Sequence, residues 1–177
     1  MSVLQTPAEN KQTEFETASA IHSKLLSLPE YQNAKSLSIF MSMPTGEINT
    51  GPIVHQALNQ GKSIFIPYLR SNQTQGEPKS IMGMVELYSE EDFKQLVPDK
   101  WGIPSIKKDT IPGRRRCPGD HDHESKTAEL DVIVMPGVAF DSKLQRIGHG
   151  KGYYDFFLQR YQRYVESEGR SMPFLGM

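Results

Sequence analysis

A short apolar run at 130–136, LDVIVMP, limits the folds open to this chain more than any other segment. Its residues are apolar except for Asp131 and the final proline, so it predicts a strand that is buried on both faces. Strands of that kind belong to parallel sheets that helices cover on both sides. The next segment, 137–155, is rich in glycine and charge, which is typical of a ligand-binding loop at the carboxyl end of such a strand.

Two earlier segments supply further strands for a parallel sheet. Residues 36–42 (SLSIFMS) and 63–67 (SIFIP) both predict strands. Between them a helix is predicted from the cap and first turn at 50–52 to Gly61, which is expected to adopt a left-handed C-cap conformation. Strand, helix and strand in this order form a βαβ unit. We therefore expect an α/β protein: a three-layer α/β/α fold with a mostly parallel central sheet.

The rest of the chain predicts a single domain over 1–177, without internal repeats. Apolar residues at helical spacing predict a helix that ends before Pro29, and residues 1–12 are expected to be flexible. Residues 82–88 predict a strand, and Ser89 predicts the cap of a short helix that follows it.

A surface insertion loop is predicted at 107–126, because this stretch has two Pro-Gly pairs, three consecutive arginines (114–116) and no apolar periodicity. Within it, Cys117 and the cluster at 121–124 (HDHE) could ligate a metal ion. The flanking prolines, glycines and charges favour a solvated loop instead.

Composition excludes several classes of function. The chain has 177 residues, 37% of them hydrophobic, and a formal net charge of −1, which argues against a nucleic-acid-binding protein. No apolar stretch is long enough to span a membrane, and the first residues lack the pattern of a secretory signal. Cys117 is the only cysteine, so an intrachain disulfide is impossible. We expect a cytoplasmic monomer that handles small molecules, and a mitochondrial location stays open.

Positive charge is concentrated in the glycine-rich segment. Residues 144–164 contain four basic residues and one acidic residue, a local charge of +3 in a chain that is slightly negative. Alternate glycines at 148, 150 and 152 let backbone N–H groups approach a ligand closely, and a helix is predicted to begin near Tyr153. This combination indicates an oxyanion or phosphate site. The glycine pattern alone is weak, because it matches no standard phosphate loop and a structural turn explains it equally well.

The same segment resembles the signature of a known enzyme family. PGVAFD (136–141) followed by RIGHGKGYYDFFLQRY (146–161) is similar to the motif of the 5-formyltetrahydrofolate cyclo-ligases, also called 5,10-methenyltetrahydrofolate synthetases. Segments 38–48, 61–67, 101–104 and 130–137 support the resemblance in order and spacing.

The resemblance implies an enzyme that uses ATP and Mg²⁺ to convert 5-formyltetrahydrofolate into 5,10-methenyltetrahydrofolate, with release of ADP and phosphate. It also implies a set of site residues. The resemblance implies that Lys151, Tyr153 and Arg146 are catalytic residues and that Asp155 binds Mg²⁺. The implied nucleotide contacts are Arg146, Ile147, Gly148, His149, Gly150, Lys151, Gly152, Tyr153 and Tyr154. The implied folate contacts are Met41, Glu47, His149, Gly150, Lys151, Gly152 and Tyr153.

Three departures from the family pattern lead to further expectations. His149 stands where the family most often has arginine, so weaker and pH-sensitive phosphate binding is expected. The basic helix that opens the family is expected to be absent, and the strand that begins at 173–177 is expected to lack the acidic segment that follows it in the family. The alternative function is therefore a truncated, weak or inactive family member that only binds folate or nucleotide.

Overall fold

A computed structural model describes residues 7–73, 75, 78–117, 128–143 and 145–176. Within these residues the α-helices are α1 (Pro7–Ser27), α2 (Pro29–Asn33), α3 (Gly51–Asn59), α4 (Glu90–Lys94) and α5 (Tyr153–Ser167). The strands are β1 (Ser36–Ile39), β2 (Ser63–Ser71), β3 (Ser80–Leu87), β4 (Val97–Pro98), β5 (Pro104–Ser105), β6 (Val132–Val134), β7 (Ala139–Phe140), β8 (Arg146–Ile147) and β9 (Phe174–Gly176). A short 3-10 helix spans Lys108–Thr110.

The main sheet has the strand order β3-β2-β1-β6-β9. Strand β1 is parallel to β2 and to β6, and β9 is parallel to β6, whereas β3 pairs with β2 in the antiparallel sense. The mostly parallel sheet is therefore confirmed. The apolar run at 130–136 provides β6, whose residues are all buried, and the segment at 173–177 provides β9.

The predicted βαβ unit is confirmed as β1, α3 and β2. Gly61 follows the end of helix α3 and has φ of +70°, a left-handed conformation that glycine adopts without steric cost. The start of α3 differs from the prediction, because the Thr50 side chain does not cap the helix. Its hydroxyl instead donates a hydrogen bond to the carbonyl oxygen of Phe40, at 2.8 Å, and so ties the helix to the end of β1.

Helices cover both faces of the sheet. On one face, alternate residues of β1 and β6, such as Leu37 and Val132, share a core with residues of the helices α1 to α3. On the other face, Phe65 and Ile133 pack with Phe157 and other residues of α5. Successive side chains of a strand point to opposite faces, so the two cores are separate layers of packing. The three-layer arrangement is confirmed.

Helix α5 is anchored to the start of β6 by a buried hydrogen bond. The Leu130 N–H donates to the hydroxyl of Tyr161, at 2.8 Å, and Tyr161 is 1% exposed. Burial raises the pKa of this phenol to about 12, so it stays neutral at physiological pH. This contact fixes the position of the helix whose first turn follows the glycine-rich loop.

Part of the segment predicted as a surface loop packs against the sheet. Residues 107–113 are largely exposed, whereas Arg114 and Cys117 are buried. The backbone of 115–117 pairs with the outer side of β3: the Glu86 N–H donates to Arg115 O, at 2.9 Å, and the Cys117 N–H donates to Met84 O, at 3.0 Å. Arg114 is 8% exposed, because its guanidinium binds the carboxylate of Asp92 through two nitrogens. A run of arginines resembles a solvated loop unless its acidic partner is known, and that partner lies far away in sequence. The metal candidates at 121–124 lie outside the described residues.

The amino-terminal segment also differs from expectation. Helix α1 begins at Pro7, within the segment that we expected to be flexible, and ends at Ser27. The first 20 residues contain one lysine and three glutamates, so this part of the chain is acidic rather than basic. No helix in the described part of the chain has both the length and the apolar composition of a membrane span.

Candidate active site

The glycine-rich segment leaves the sheet at the carboxyl end of β6 and first forms a small hairpin. Strands β7 and β8 pair in the antiparallel sense, with Ala139 opposite Ile147 and Phe140 opposite Arg146. The carboxylate of Asp141 holds the hairpin loop, because one of its oxygens accepts from the N–H groups of Lys143 and Gln145, both at 2.8 Å. Asp141 is thus a structural residue of the motif, and the hairpin brings Arg146 back towards the end of β6.

The turn between β8 and α5 depends on two glycines with positive φ. Gly150 has φ of +75° and Gly152 has φ of +67°, and Gly152 directly precedes the first residue of the helix, Tyr153. Other residues adopt this backbone conformation at a cost. The predicted helix start is confirmed. The partial positive charge at the amino end of α5 therefore lies beside this loop.

Arg146 is held in place rather than free in solvent. One terminal nitrogen donates to the carbonyl oxygen of Pro136, at 3.1 Å, and the other donates to the carboxylate of Asp155, at 2.8 Å. The guanidinium carbon lies 5.6 Å from the ring centre of Tyr154, and the side chain is 12% exposed. A Cβ atom at Gly148 would lie 2.6 Å from a guanidinium nitrogen, so a larger residue at that position would displace the guanidinium of Arg146.

His149 and Lys151, in contrast, are exposed on the turn itself. Neither has an ion pair among the described residues. With the backbone N–H groups around Gly150, they offer positive charge to an incoming anion. Ile147, which precedes them, is 65% exposed, and Tyr153 packs partly against the core around α5.

Asp155 is the one predicted metal ligand, and its side chain is 67% exposed. No cluster of three or more His, Cys, Asp or Glu side chains that could hold a metal ion occurs within the described ranges. A single carboxylate is too few protein ligands for a metal ion that is coordinated only by side chains. It does fit Mg²⁺, which commonly binds one or two carboxylates together with phosphate oxygens and water.

The two predicted folate contacts on the loop after β1 have different surroundings. Glu47 is partly buried, and one of its carboxylate oxygens accepts a hydrogen bond from the Met43 N–H, at 2.7 Å. Met41 is 6% exposed and belongs to the core beneath α3, which leaves little of its side chain for a ligand. Of the two, Glu47 is the better placed to bind.

The phenol of Tyr154 is influenced by a charge on the loop after β1 and by a charge on the glycine-rich segment. Burial is the main cause that raises the pKa of its phenol; the positive charge of Arg146 lowers it and the negative charge of Glu47 raises it. The charges of Glu47 and Arg146 thus both influence the pKa of the Tyr154 hydroxyl, although the two residues are far apart in sequence. Neither this arrangement nor the pairing of Arg146 with Asp155 follows from spacing along the chain, and sequence reasoning missed both.

Comparisons with known proteins agree with the motif. A model of the 5-formyltetrahydrofolate cyclo-ligase family matches residues 4–176. A protein of Caenorhabditis elegans described as a probable 5-formyltetrahydrofolate cyclo-ligase is 32% identical over 177 residues, which is 97% of this chain and 76% of that protein. The 5-formyltetrahydrofolate cyclo-ligase of Mus musculus is 35% identical over 150 residues, or 84% of this chain and 66% of that enzyme.

A solved structure supports the fold. The NMR structure of the 5,10-methenyltetrahydrofolate synthetase of Aquifex aeolicus superimposes with a TM-score of 0.59 at 24% identity, and covers 85% of this chain and 64% of that one. The chain thus spans about two thirds to three quarters of the length of these relatives. Since the family match includes nearly every residue from the first helix to the last strand, the chain belongs to the 5-formyltetrahydrofolate cyclo-ligase family.

Proposed function

We propose that this chain converts 5-formyltetrahydrofolate into 5,10-methenyltetrahydrofolate at the expense of ATP. In the proposed reaction the formyl oxygen attacks the γ-phosphorus of ATP, and ADP leaves. The neighbouring amine nitrogen of the folate then attacks the activated formyl carbon and loses its proton to the departing phosphate or to water, and the carbon–oxygen bond breaks to release phosphate. The observation that carries this proposal is the glycine-rich turn at the amino end of α5, with an oriented arginine on one side and exposed cations on the other.

Such a reaction asks mainly for positioning and charge stabilisation. The protein must hold the triphosphate, bring the formyl oxygen into line with the γ-phosphorus and keep water away from the activated intermediate. We assign the triphosphate to residues 146–154, to which Tyr154 contributes through its backbone rather than through its hydroxyl. In this assignment Lys151 stabilises the transferring phosphoryl group, and Tyr153 lies between nucleotide and folate. Arg146 acts mainly by orienting Asp155, to which it is already bonded.

We assign the metal to Asp155 and the folate to Glu47 and the turn 149–153. Mg²⁺, when bound, neutralises charge on the phosphate oxygens. The exposed carboxylate of Asp155 suits this role, and its bond to Arg146 holds it towards the glycine-rich turn. Glu47 has one oxygen engaged by the Met43 N–H, so the other can accept hydrogen bonds from adjacent N–H groups of a pterin ring.

A second candidate function is binding of folate or nucleotide without turnover. The observation in its favour is the state of Arg146, whose charge is paired with Asp155 and whose side chain is 12% exposed. In that state the cations free to meet phosphate are Lys151 and, when it is protonated, His149. Binding could then occur without the charge stabilisation that phosphoryl transfer demands.

One assay separates the two functions. Purified protein is incubated with 5-formyltetrahydrofolate, ATP and Mg²⁺, and the absorbance of the methenyl product is followed. The enzyme proposal expects a signal that needs ATP and disappears when EDTA removes Mg²⁺. Substrate binding by calorimetry without any ATP-dependent signal would establish the binding function instead.

Location and assembly are also proposals. We propose that the protein works in the cytoplasm as a monomer, because the substrates are small molecules and the proposed site consists of residues from one chain. A relative in Arabidopsis thaliana is described as mitochondrial, so fractionation of cells that express the tagged chain is the direct measurement.

A further inference from the structure

The hydroxyl of Tyr154 is a buried polar atom for which the proposed reaction does not yet account. It is shielded from solvent and has no hydrogen-bond partner among the described residues. The ring of Tyr154 packs against the core around α5, and the guanidinium of Arg146 lies over it. A buried hydroxyl without a partner costs free energy in the folded chain, so its retention needs a reason.

The charges around this hydroxyl indicate which ligand it can meet. Arg146 is already paired with Asp155, so its charge is compensated close to the ring. Glu47 adds a negative charge that acts on the phenol without forming a hydrogen bond to it. A phosphate at this hydroxyl would meet a guanidinium that is already paired with Asp155, and the negative charge of Glu47 would act against it. A neutral group with an acceptor beside a donor suits both side chains, because a phenol donates and a carboxylate accepts.

We propose that the Tyr154 hydroxyl donates a hydrogen bond to an acceptor atom on the ring system of the reduced folate, next to the N–H group that Glu47 binds. This assignment rests on the proposed function and deepens it. Tyr154 then contributes to the specificity for folate. The family resemblance places this residue among the nucleotide contacts, whereas here its hydroxyl contacts the folate.

The proposal predicts opposite effects of one substitution on stability and on binding. Tyr154→Phe removes the hydroxyl and leaves the ring, so the melting temperature of the free protein should stay equal or rise, because an unpaired buried polar atom is gone. The affinity for 5-formyltetrahydrofolate should fall about tenfold, because the variant leaves a ligand acceptor without a donor in a buried place. The affinity for ATP with Mg²⁺ should stay within about twofold.

Calorimetric titrations with each ligand separately, together with thermal unfolding, test these effects. Tyr164→Phe is the matched control, because Tyr164 is a partly buried tyrosine of the same helix and packs beside Tyr161. It should leave both affinities within about twofold.

The outcomes separate this inference from the proposed function. If the unaltered chain binds 5-formyltetrahydrofolate and Tyr154→Phe binds it equally well, the inference fails and the function stands. A loss of ATP affinity instead of folate affinity assigns the hydroxyl to the nucleotide and also overturns it. A melting temperature lower by several degrees shows that the hydroxyl holds the fold, which contradicts the inference too. Failure of the unaltered chain to bind either ligand would refute the proposed function itself.

Discussion

At the scale of single residues, the basic side chains of the glycine-rich segment divide into two kinds. Arg146 is nearly buried and bonded to Pro136 and Asp155, so it shapes the site. Lys151 and His149 are exposed on the turn, so they are the charges a ligand would meet first. A count of basic residues treats these three side chains alike. Their burial and hydrogen bonds distinguish the residue that orients other groups, Arg146, from the two that can bind a ligand directly, His149 and Lys151.

Lys151 allows a direct test of this division. Lys151→Ala should lower turnover by at least about 100-fold, because a cation that stabilises charge on the transferring phosphoryl group is lost. The melting temperature should change little, since the side chain is exposed. The methenyl-product assay and thermal unfolding measure the two effects. Lys143 is an exposed lysine in the loop of the β7–β8 hairpin, so Lys143→Ala is the control and should keep the turnover rate of the unaltered chain. Full activity of Lys151→Ala would show that Lys151 does not belong to the site.

His149 allows a test in the opposite direction. His149→Arg should tighten ATP binding by roughly three- to tenfold, because arginine is always charged and can contact a phosphate through two N–H groups. Titration with ATP at neutral pH measures the change. Gln145→Arg adds the same charge at an exposed position of the hairpin and should have a smaller effect. Equal effects of the two variants would mean that position 149 does not meet the phosphates.

At the scale of elements, residues 114–117 join two parts of the fold. The backbone of 115–117 pairs with the outer side of β3, and Arg114 binds Asp92 of α4. Arg114 also donates to the carbonyl oxygens of Glu86 and Thr110, both at 3.0 Å. The pKa of Asp92 is lowered, chiefly by the hydrogen bond from Arg114. The ion pair therefore stabilises the fold above the usual pKa of an aspartate, near 4, and this contribution is lost as the pH falls through the lowered value.

The corresponding prediction concerns stability and its dependence on pH. Arg114→Gln should reduce the free energy of unfolding at pH 7 by about 3 kcal/mol, because it leaves a largely buried carboxylate without its cation. The difference from the unaltered chain should shrink at pH 3, where Asp92 begins to be protonated in both. Denaturant unfolding at the two pH values measures it. Arg163→Gln, which changes an exposed arginine of α5, should have little effect; a loss at pH 7 that persists unchanged at pH 3 would contradict the role given to this ion pair.

The elements that could be predicted from sequence are those whose pattern is local. The apolar run of β6, the βαβ unit and the start of α5 at Tyr153 depend on short-range periodicity and on glycines. The features that could not be predicted depend on pairs distant in sequence, such as Arg114 with Asp92 and Leu130 with Tyr161. Their partners become neighbours only when the sheet forms, and no spacing rule relates them. The segment predicted as the site forms a glycine turn at the start of α5, but the separate roles that we propose for Arg146 and Lys151 could be assigned only from the fold.

At the scale of the whole molecule, the two edges of the main sheet differ. The edge at β3 is covered around Val85 by the backbone of 115–117. The edge at β9 has no partner strand on its outer side within the described residues. On its inner side the Phe174 N–H and the Gly176 carbonyl oxygen bond to the β6 segment, so the backbone groups of Leu175 between them point outward. Leu175 is also 37% exposed, and such edges can pair with another chain.

The prediction is weak self-association through β9. Sedimentation should detect a monomer at low concentration and a growing dimer fraction at high concentration. Leu175→Lys should suppress the dimer, because a charged side chain on an edge strand disfavours strand pairing. Val97→Lys changes an exposed apolar residue of the separate β4–β5 pair and serves as control; equal suppression by both variants would assign the association to general apolar contact.

The unequal edges also bear on how this protein is best handled. An extended segment placed after Gly176 lies beside this open row of backbone donors and acceptors and can join it as an extra strand. A linker that contains proline at that point should therefore keep a fused partner more soluble than an extended apolar linker, because proline cannot donate a hydrogen bond to a neighbouring strand.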